Sequence, residues 1–494
     1  MFHKSDGYLS KRVEQSWDMI RERFSPCPDL KKMPFEWNGA LSFLVWLDGL
    51  VSPERIQMGV ALLRMEESSK SRVSIPRHLK SQTLSMAMSE TQQIEDVITA
   101  LLAGKAVLLH DGQPMAYIWD VEAFPGRQVE RPETEPTLQG PQEAFVENRA
   151  LNIALLRKRL RTPDLKIVDF VVGERTKTKV SLVYMDGVTK PELVKEVSAR
   201  FEKICIDGVI DLNVVREWIA DAPRTIFPTT EDTERPERVV SALLQGRIGL
   251  FVDGSPYCML IPATFMLFIT STEDYYMHFT LALPLRMLRH IMFWSSVLLP
   301  AIYVSLLTYN QDLIPTPLMA KISTQHTGIP FPTVMEALSM MFAFEALREA
   351  GTRLPKAIGQ SVSIVGTLVI GEAAVRAGIV SAGMVIIVAA TGIASFTAPA
   401  LGMVQATRLL QFAFVICAGT FGLYGVALLG ILLIVHLASI RSFGVPYLSP
   451  VAPTMMSDLK DALIRAPWWD MRKRPQQYEP TEDGSASGKR VFKG

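Results

Sequence analysis

The sequence predicts an α/β domain duplicated in tandem on the cytoplasmic side, followed by an α-helical domain that spans a membrane several times. Three observations predict it. First, two phrases recur. LVWLDGLVSPERI at Leu44–Ile56 returns as LVYMDGVTKPELV at Leu182–Val194, and LLAGKAVLLHDGQP at Leu101–Pro114 returns as LLQGRIGLFVDGSP at Leu243–Pro256, with offsets of 138 and 142 residues. Two matches in one order at nearly one offset mark a repeated unit. Second, charge is split. Leu283–Pro446 holds five acidic and nine basic residues in 164, whereas the other 330 residues hold 87 charges. Third, that poor region contains runs of 22 (His290–Gln311), 31 (Ala377–Thr407) and 32 residues (Leu409–Ile440) without Asp, Glu, Lys or Arg. Runs of about 20 apolar residues match the hydrocarbon thickness of a bilayer.

Composition removes several classes. The 494 residues carry 51 basic and 50 acidic side chains, a net charge of +1, so binding of nucleic acid through overall positive charge is excluded. Cys27, Cys205, Cys258 and Cys417 are scattered without a CxxC pair, which argues against a disulfide framework or a zinc site. No apolar run follows the basic residues at the N-terminus, so no signal peptide is expected. There is no HExxH, no GxSxG and no phosphate loop. The expectation is a protein that is not an enzyme and takes no cofactor or metal.

In chain order, 1–34 reads as an N-terminal extension and 35–122 as the first copy. In each copy a short apolar strand leaves through Asp-Gly, where glycine supplies the positive φ of a tight turn. Pro53 or Pro191 then opens a helix. A second helix, a glycine (Gly104 or Gly246) and a strand hairpin close the copy. The four Asp-Gly aspartates, Asp48, Asp111, Asp186 and Asp253, read as turns rather than as a catalytic or metal set. Residues 123–149, with four prolines, form an extended connector, and 150–282 are the second copy. Residues 283–446 are the transmembrane helical domain, 447–474 a cytoplasmic segment, and 475–494 a disordered tail.

Arg286 and Arg289 before the first span, and Arg441, Lys460, Arg465, Arg472, Lys473 and Arg474 after the last, place both ends in the cytoplasm. An even number of crossings follows. Four spans are expected near 290–310, 356–374, 379–398 and 409–439, with Pro300 kinking or breaking the first, 334–350 packed inside or lying in the interface, and the last a single long helix. The alternative has six spans, counting 334–350 and splitting the last helix.

On a helix, Gln360, Ser363, Thr367 and Gly371 share one face and are the candidate pore lining. The same small residues also suit close helix packing. Val362, Val365 and Val369 lie on another face and could form an apolar gate. Glu336, Glu345, Glu349 and Glu372 lie in or beside apolar stretches, where a charge is costly unless paired or wet. They are candidate cation sites. Glu349 with Arg353, and Glu372 with Arg376, stand four residues apart in the favourable order for ion pairs, and Arg348 stands three residues from Glu345.

Five stretches carry a resemblance: LPKAIGQSVSIVGTLVIGEAAVRAGIVS from Leu354, GIPFPTVMEAL from Gly328, LASIRSFGVPYLSPVAP from Leu437, TEPTLQGPQEAFVENRALNIALLRKRL from Thr134 and FPTTEDTERPERV from Phe227. In these the chain resembles the spore germination receptor A subunits of GerA type, a family that includes the stage V sporulation protein AF paralogue. The resemblance implies a multi-pass protein of the spore inner membrane with both termini on the core side. It implies a homo-oligomer, as a pentamer, forming a channel that releases monovalent cations during germination. The implied partners are a permease-like B subunit and a lipoprotein C subunit, or a small membrane partner for the AF type. Glu372 stands where many nutrient-receptor subunits carry Gln, so receptor subunit and AF-type amplifying channel both remain open. A non-conducting scaffold or signal relay, and a secondary transporter, are the alternative functions.

Overall fold

The computed structural model describes residues 7–37, 39–69, 88–122, 132, 134–137, 139–353, 371–471 and 473–481. The chain divides into two compact units, one built from residues up to Pro223, Thr230–Ala263 and the stretch after Met471, the other from Arg224–Thr229 and Thr264–Met471.

The first unit contains the duplication. Its first copy runs α1 (Val13–Phe24), β1 (Leu30–Trp37), β2 (Ala40–Leu47), α2 (Pro53–Ser69), β3 (Met88–Thr91), α3 (Ile94–Leu102), β4 (Ala106–His110) and β5 (Ala116–Trp119). The second runs α4 (Arg149–Arg159), β6 (Leu165–Val172), β7 (Thr178–Met185), α5 (Pro191–Glu202), α6 (Leu212–Ile219), β8 (Glu231–Thr233), α7 (Pro236–Leu244), β9 (Ile248–Val252) and β10 (Cys258–Ile261). The sheets have the same strand order, β1-β2-β4-β5-β3 and β6-β7-β9-β10-β8, and every neighbouring pair is antiparallel. The repeated LVWL and LVYM phrases are the buried ends of β2 and β7, and the repeated Asp-Gly pairs are turns with glycine φ between +77° and +91°. Pro191 occupies the first turn of α5, where its missing N–H is no loss.

The first copy begins earlier than expected. The sequence pattern makes residues 1–34 an extension, but α1 and the start of β1 lie within them. Trp17, Ile20 and Phe24 join one apolar core with Val45 of β2, Leu101 of α3 and Leu109 of β4. The tail also differs from expectation over 475–481. There Tyr478 is buried, Arg247 lies over its ring at 5.7 Å, and the Thr481 N–H donates to the Val188 carbonyl at 3.0 Å. Residues 482–494 lie outside the described residues.

Two of the stretches that carry the family resemblance turn out to be partners in space. Glu234 Oε1 accepts from the backbone N–H groups of Thr134 and Glu135 at 2.7 and 2.9 Å. The fully buried Arg235 donates to the Glu135 carbonyl through Nε (2.8 Å) and Nη2 (2.6 Å), and through Nη1 to the Pro141 carbonyl (3.1 Å). The connector thus supplies polar backbone that Glu234 and Arg235, the two residues between β8 and α7, satisfy. Beneath it, Glu231 is flanked by Arg238 and by Arg247, whose Nη2 is 2.7 Å away. Burial pushes the Glu231 carboxyl up, but the two guanidinium groups outweigh burial and hold it below its usual value near 4.5.

A lowered carboxyl pKa stabilises the fold above the unfolded value, and that stabilisation disappears as pH falls through the folded value. Glu231→Gln should therefore lower the apparent Tm of the full chain at pH 7 by several degrees, as about 3 kcal/mol is lost. The gap from wild type should begin to narrow as pH falls below about 4.5 and close only once the folded carboxyl is itself protonated. Thermal unfolding of both proteins at pH 7 and pH 3.5 checks this, and a gap that widens in acid would refute the assignment.

The second unit is helical: α8 (Phe279–Thr308), α9 (Thr316–His326), α10 (Thr333–Arg353), α11 (Ala382–Ser395), α12 (Leu401–Ser439) and α13 (Met456–Ala462), with a two-strand turn β11 (Arg441–Ser442) and β12 (Val445–Pro446). Among the described residues, α8 and α12 are long and apolar enough to cross a membrane, and α11 is a shorter apolar helix. Pro300 neither breaks nor ends α8, which is continuous through it.

The largest departure from expectation is α12, which is two helices. Gly422 has φ +62° and ψ −147°, a conformation open essentially to glycine alone. Gly402 packs on Pro228, with a built Cβ 3.3 Å from the proline Cβ, while the His436 ring lies 6.1 Å from that of Phe227. In a straight helix those 34 residues would span about 50 Å, yet both ends meet adjacent residues. A Cβ on Gly425 would press on the Cys417 carbonyl across the break. Residues 401–421 and 423–439 therefore form an antiparallel hairpin. Its tip lies at the end of α8, where Asn310 Oδ1 accepts the Leu423 N–H at 3.2 Å and takes up a donor freed by the break.

The remaining helices follow the same axis. Val334 of α10 meets Gly419 near the hairpin tip, and Glu345 of α10 meets Arg408 eleven residues nearer the hairpin's open end, so α10 runs antiparallel to 401–421. α11 starts beside Tyr303 of α8, and its Gly392 contacts Phe344 of α10 nearer the open end. It runs alongside α10. The span expected at 356–374 lies largely outside the described residues; the chain leaves them at Arg353, about two helical turns beyond Glu345, and returns at Gly371 beside Val385 in the first turn of α11.

Candidate functional site

Charged groups inside this apolar unit gather at two levels. At the level of the hairpin tip sits Glu336, in the first turn of α10 and fully buried. Its Oε1 accepts from both the backbone N–H and the hydroxyl of Ser381, each at 2.5 Å. Ser381 is itself the N-cap of α11, its Oγ accepting the Met384 N–H at 3.2 Å. The carboxylate therefore rests on the N-terminus of α11, where unpaired N–H groups and the helix dipole favour negative charge. Its other oxygen, Oε2, has no hydrogen-bond donor and lies 3.6 Å from Nδ1 of His326, the last residue of α9. Gly383 leaves room for the Tyr303 hydroxyl, which a Cβ there would meet at 2.5 Å. Four helices thus converge on one acid. The arrangement can join α9, α10 and α11 through one buried acid.

At the opposite level, Glu345 meets Arg408 at 2.8 Å and Arg348 at 3.5 Å. The i+3 neighbour was visible in the sequence, but Arg408, on another helix, was not. Glu349 stands 2.7 Å from Arg353, and Glu372 2.5 Å from Arg376, both pairs exposed. Exposed pairs at this spacing contribute only about 0.3–0.5 kcal/mol. Gly371 is buried, and a Cβ on it would touch Val385 Cγ1 at 3.5 Å, an ordinary helix contact. Gln360, Ser363 and Thr367, and the valines 362, 365 and 369, lie outside the described residues. Among the described residues, no group of His, Cys, Asp and Glu is arranged to hold a metal ion.

The sequence profile of the family described as Bacillus/Clostridium GerA spore germination protein matches residues 18–477. The chain is 40% identical to the uncharacterized membrane protein YfkQ of Bacillus subtilis, over 96% of this chain and 92% of that one. It is 40% identical to spore germination protein KA of the same organism (90% and 82% covered) and 35% identical to its spore germination protein B1 (96% and 99% covered). Among solved structures, the N-terminal domain of the A subunit of the Bacillus megaterium spore germinant receptor GerK3 aligns with 53% of this chain and 99% of that one, at 27% identity and a TM-score of 0.41.

Proposed function

The chain belongs to the GerA family of spore germination proteins, and from that premise we propose that it is a membrane subunit of a germination complex whose copies assemble into a cation-conducting channel. The observation that carries the reading is the helical unit. Its hairpin and neighbouring helices run along one axis, and 401–421 and α10 are each about 30 Å long, the thickness of a hydrocarbon core. In this reading α8, α10, the 354–370 stretch, α11 and the two hairpin arms make six crossings. The even number keeps the basic ends together on the core side of the spore inner membrane. The polar face of Gln360, Ser363 and Thr367 lines the conduction path between copies, with the nearby valines as its gate. The copies work as a nutrient receptor A subunit, with a permease-like B and a lipoprotein C subunit, or as an AF-type channel with a small membrane partner.

The test is electrical. The full protein, purified in detergent and sized, should give single-channel monovalent-cation currents in planar bilayers when it runs as an oligomer. Well-assembled oligomers without current would make it a scaffold or relay, and flux coupled to a second solute would make it a transporter.

A further inference from the structure

Six residues leave the first unit and pack as part of the second. Arg224–Thr229 belong to the helical unit by their contacts, while Pro223 before them and Thr230 after them belong to the first unit. The contacts fall on both arms of the hairpin at its open end. Pro228 packs on Gly402 in the first turn of the arm 401–421, where a Cβ would come 3.3 Å from the proline Cβ, so a larger side chain has to push the proline aside. The Thr225 hydroxyl shares a hydrogen bond of 3.1 Å with Nε2 of His436, in the last turn of the arm 423–439. Phe227 is buried, its ring 6.1 Å from that of His436 and 6.5 Å from that of Tyr447. Just past the second arm, the Ser442 hydroxyl donates to the Thr229 carbonyl at 2.7 Å. Two of the stretches that carry the family resemblance meet here, the one from Phe227 and the one from Leu437.

Both ends of the segment are fastened within a few residues. On one side Asp221 pairs with Arg200 of α5, whose guanidinium also donates to the Ile219 carbonyl at the end of α6. On the other side β8 begins two residues after Thr229. There Glu231 is flanked by Arg238 and Arg247, and Asp232 pairs with Arg216 of α6. A chain reaches at most about 3.6 Å per residue, so Thr229 stays within about 7 Å of Glu231 and Arg224 within about 11 Å of Asp221. So short a tether has little slack to absorb a displacement of β8, and its hydrogen bonds and rings end on both arms.

We propose that residues 224–229 are a strap through which the second α/β copy sets the spacing of the hairpin arms at their open end, a shift of β8 being passed through Pro228 and Phe227 to both helix ends. The proposal rests on the hairpin and not on conduction. Hydrogen exchange of the full chain in detergent tests it, read in β8 and in the arm ends, 401–408 and 432–439. Glu231→Gln should raise exchange in β8 and, at least fivefold, in both arm ends. Gly402→Val should raise exchange in β8 in return, because coupling between two sites is reciprocal. Thr225→Val with Phe227→Ala removes the hydrogen bond and the ring that hold the second arm. In that background Glu231→Gln should still loosen β8 but leave the arm 432–439 at the background's own rate. Thr225→Val with Ser442→Ala, which removes only hydrogen bonds, should weaken the transmission and keeps the test open should the ring deletion not fold. Asp169→Asn, at an ion pair elsewhere in the same sheet, should not reach the arms. Effects confined to the unit that carries the change, or equal transmission from Asp169→Asn, would overturn the proposal. So would transmission undiminished in both strap backgrounds, which would route it through the other crossing at Ala263–Thr264. Strap coupling without ion currents would leave the proposal standing and sink only the channel reading.

Discussion

Cysteines introduced at Ala398 and Ser439 should react with a membrane-impermeant maleimide from the same side of the membrane, and one at Phe421 from the opposite side. The background would carry Cys27, Cys205, Cys258 and Cys417 as serine or alanine. The effect is all or none, because a single helix through 401–439 puts the first two positions on opposite faces, whereas the hairpin brings them together. The hairpin depends on one residue. At φ +62° any side chain on Gly422 is strained, and its Cβ would stand 2.9 Å from both Asn310 Oδ1 and Tyr309 Cβ. Gly422→Val should therefore cost more than about 3 kcal/mol and reduce the yield of monodisperse protein sharply. Labelling of the positions 398 and 439 from opposite faces would remove the hairpin and, with it, the six-crossing topology.

How much of this was legible in the sequence depended on whether the information was local. The duplication was legible because β2 with its turn, and β4 with its turn, keep the same letters in both copies. The first copy's true start was not, because α1 (VEQSWDMIRERF) and α4 (RALNIALLRKR) share a place in the fold but hardly a residue. Each needs only an apolar stripe against its sheet, and many sequences provide one. The hairpin was hidden for a different reason. Hydropathy reports length, not direction, and 32 uncharged residues suit one tilted helix as well as two short arms. The hint was the Gly419, Gly422, Gly425 series, which also fits plain helix packing. Of the acids, the i+3 and i+4 partners could be read from spacing. Arg408 lies 63 residues from Glu345, and Ser381 lies 45 residues from Glu336, so no local pattern could find either.

Glu336→Ala should be among the most damaging single changes in the helical unit. The carboxylate is completely buried, it accepts two hydrogen bonds from Ser381, and it faces His326. Its removal leaves the first N–H of the α11 cap without an acceptor and His326 beside a void, and losing one member of such a buried polar set costs about 3–5 kcal/mol. Glu336→Gln keeps an acceptor for the Ser381 N–H and the volume of the side chain, so its cost should be smaller, about 1–2 kcal/mol. The order Ala worse than Gln, read as apparent Tm of the full protein in detergent, separates a hydrogen-bonded anchor from a merely space-filling acid. Hydrogen exchange should rise at the start of α11 and at the end of α9 in the alanine variant, because those are the helices the acid joins. An alanine variant that melts with wild type, or exchange that rises elsewhere and not at these two helix ends, would show that Glu336 does not hold them together.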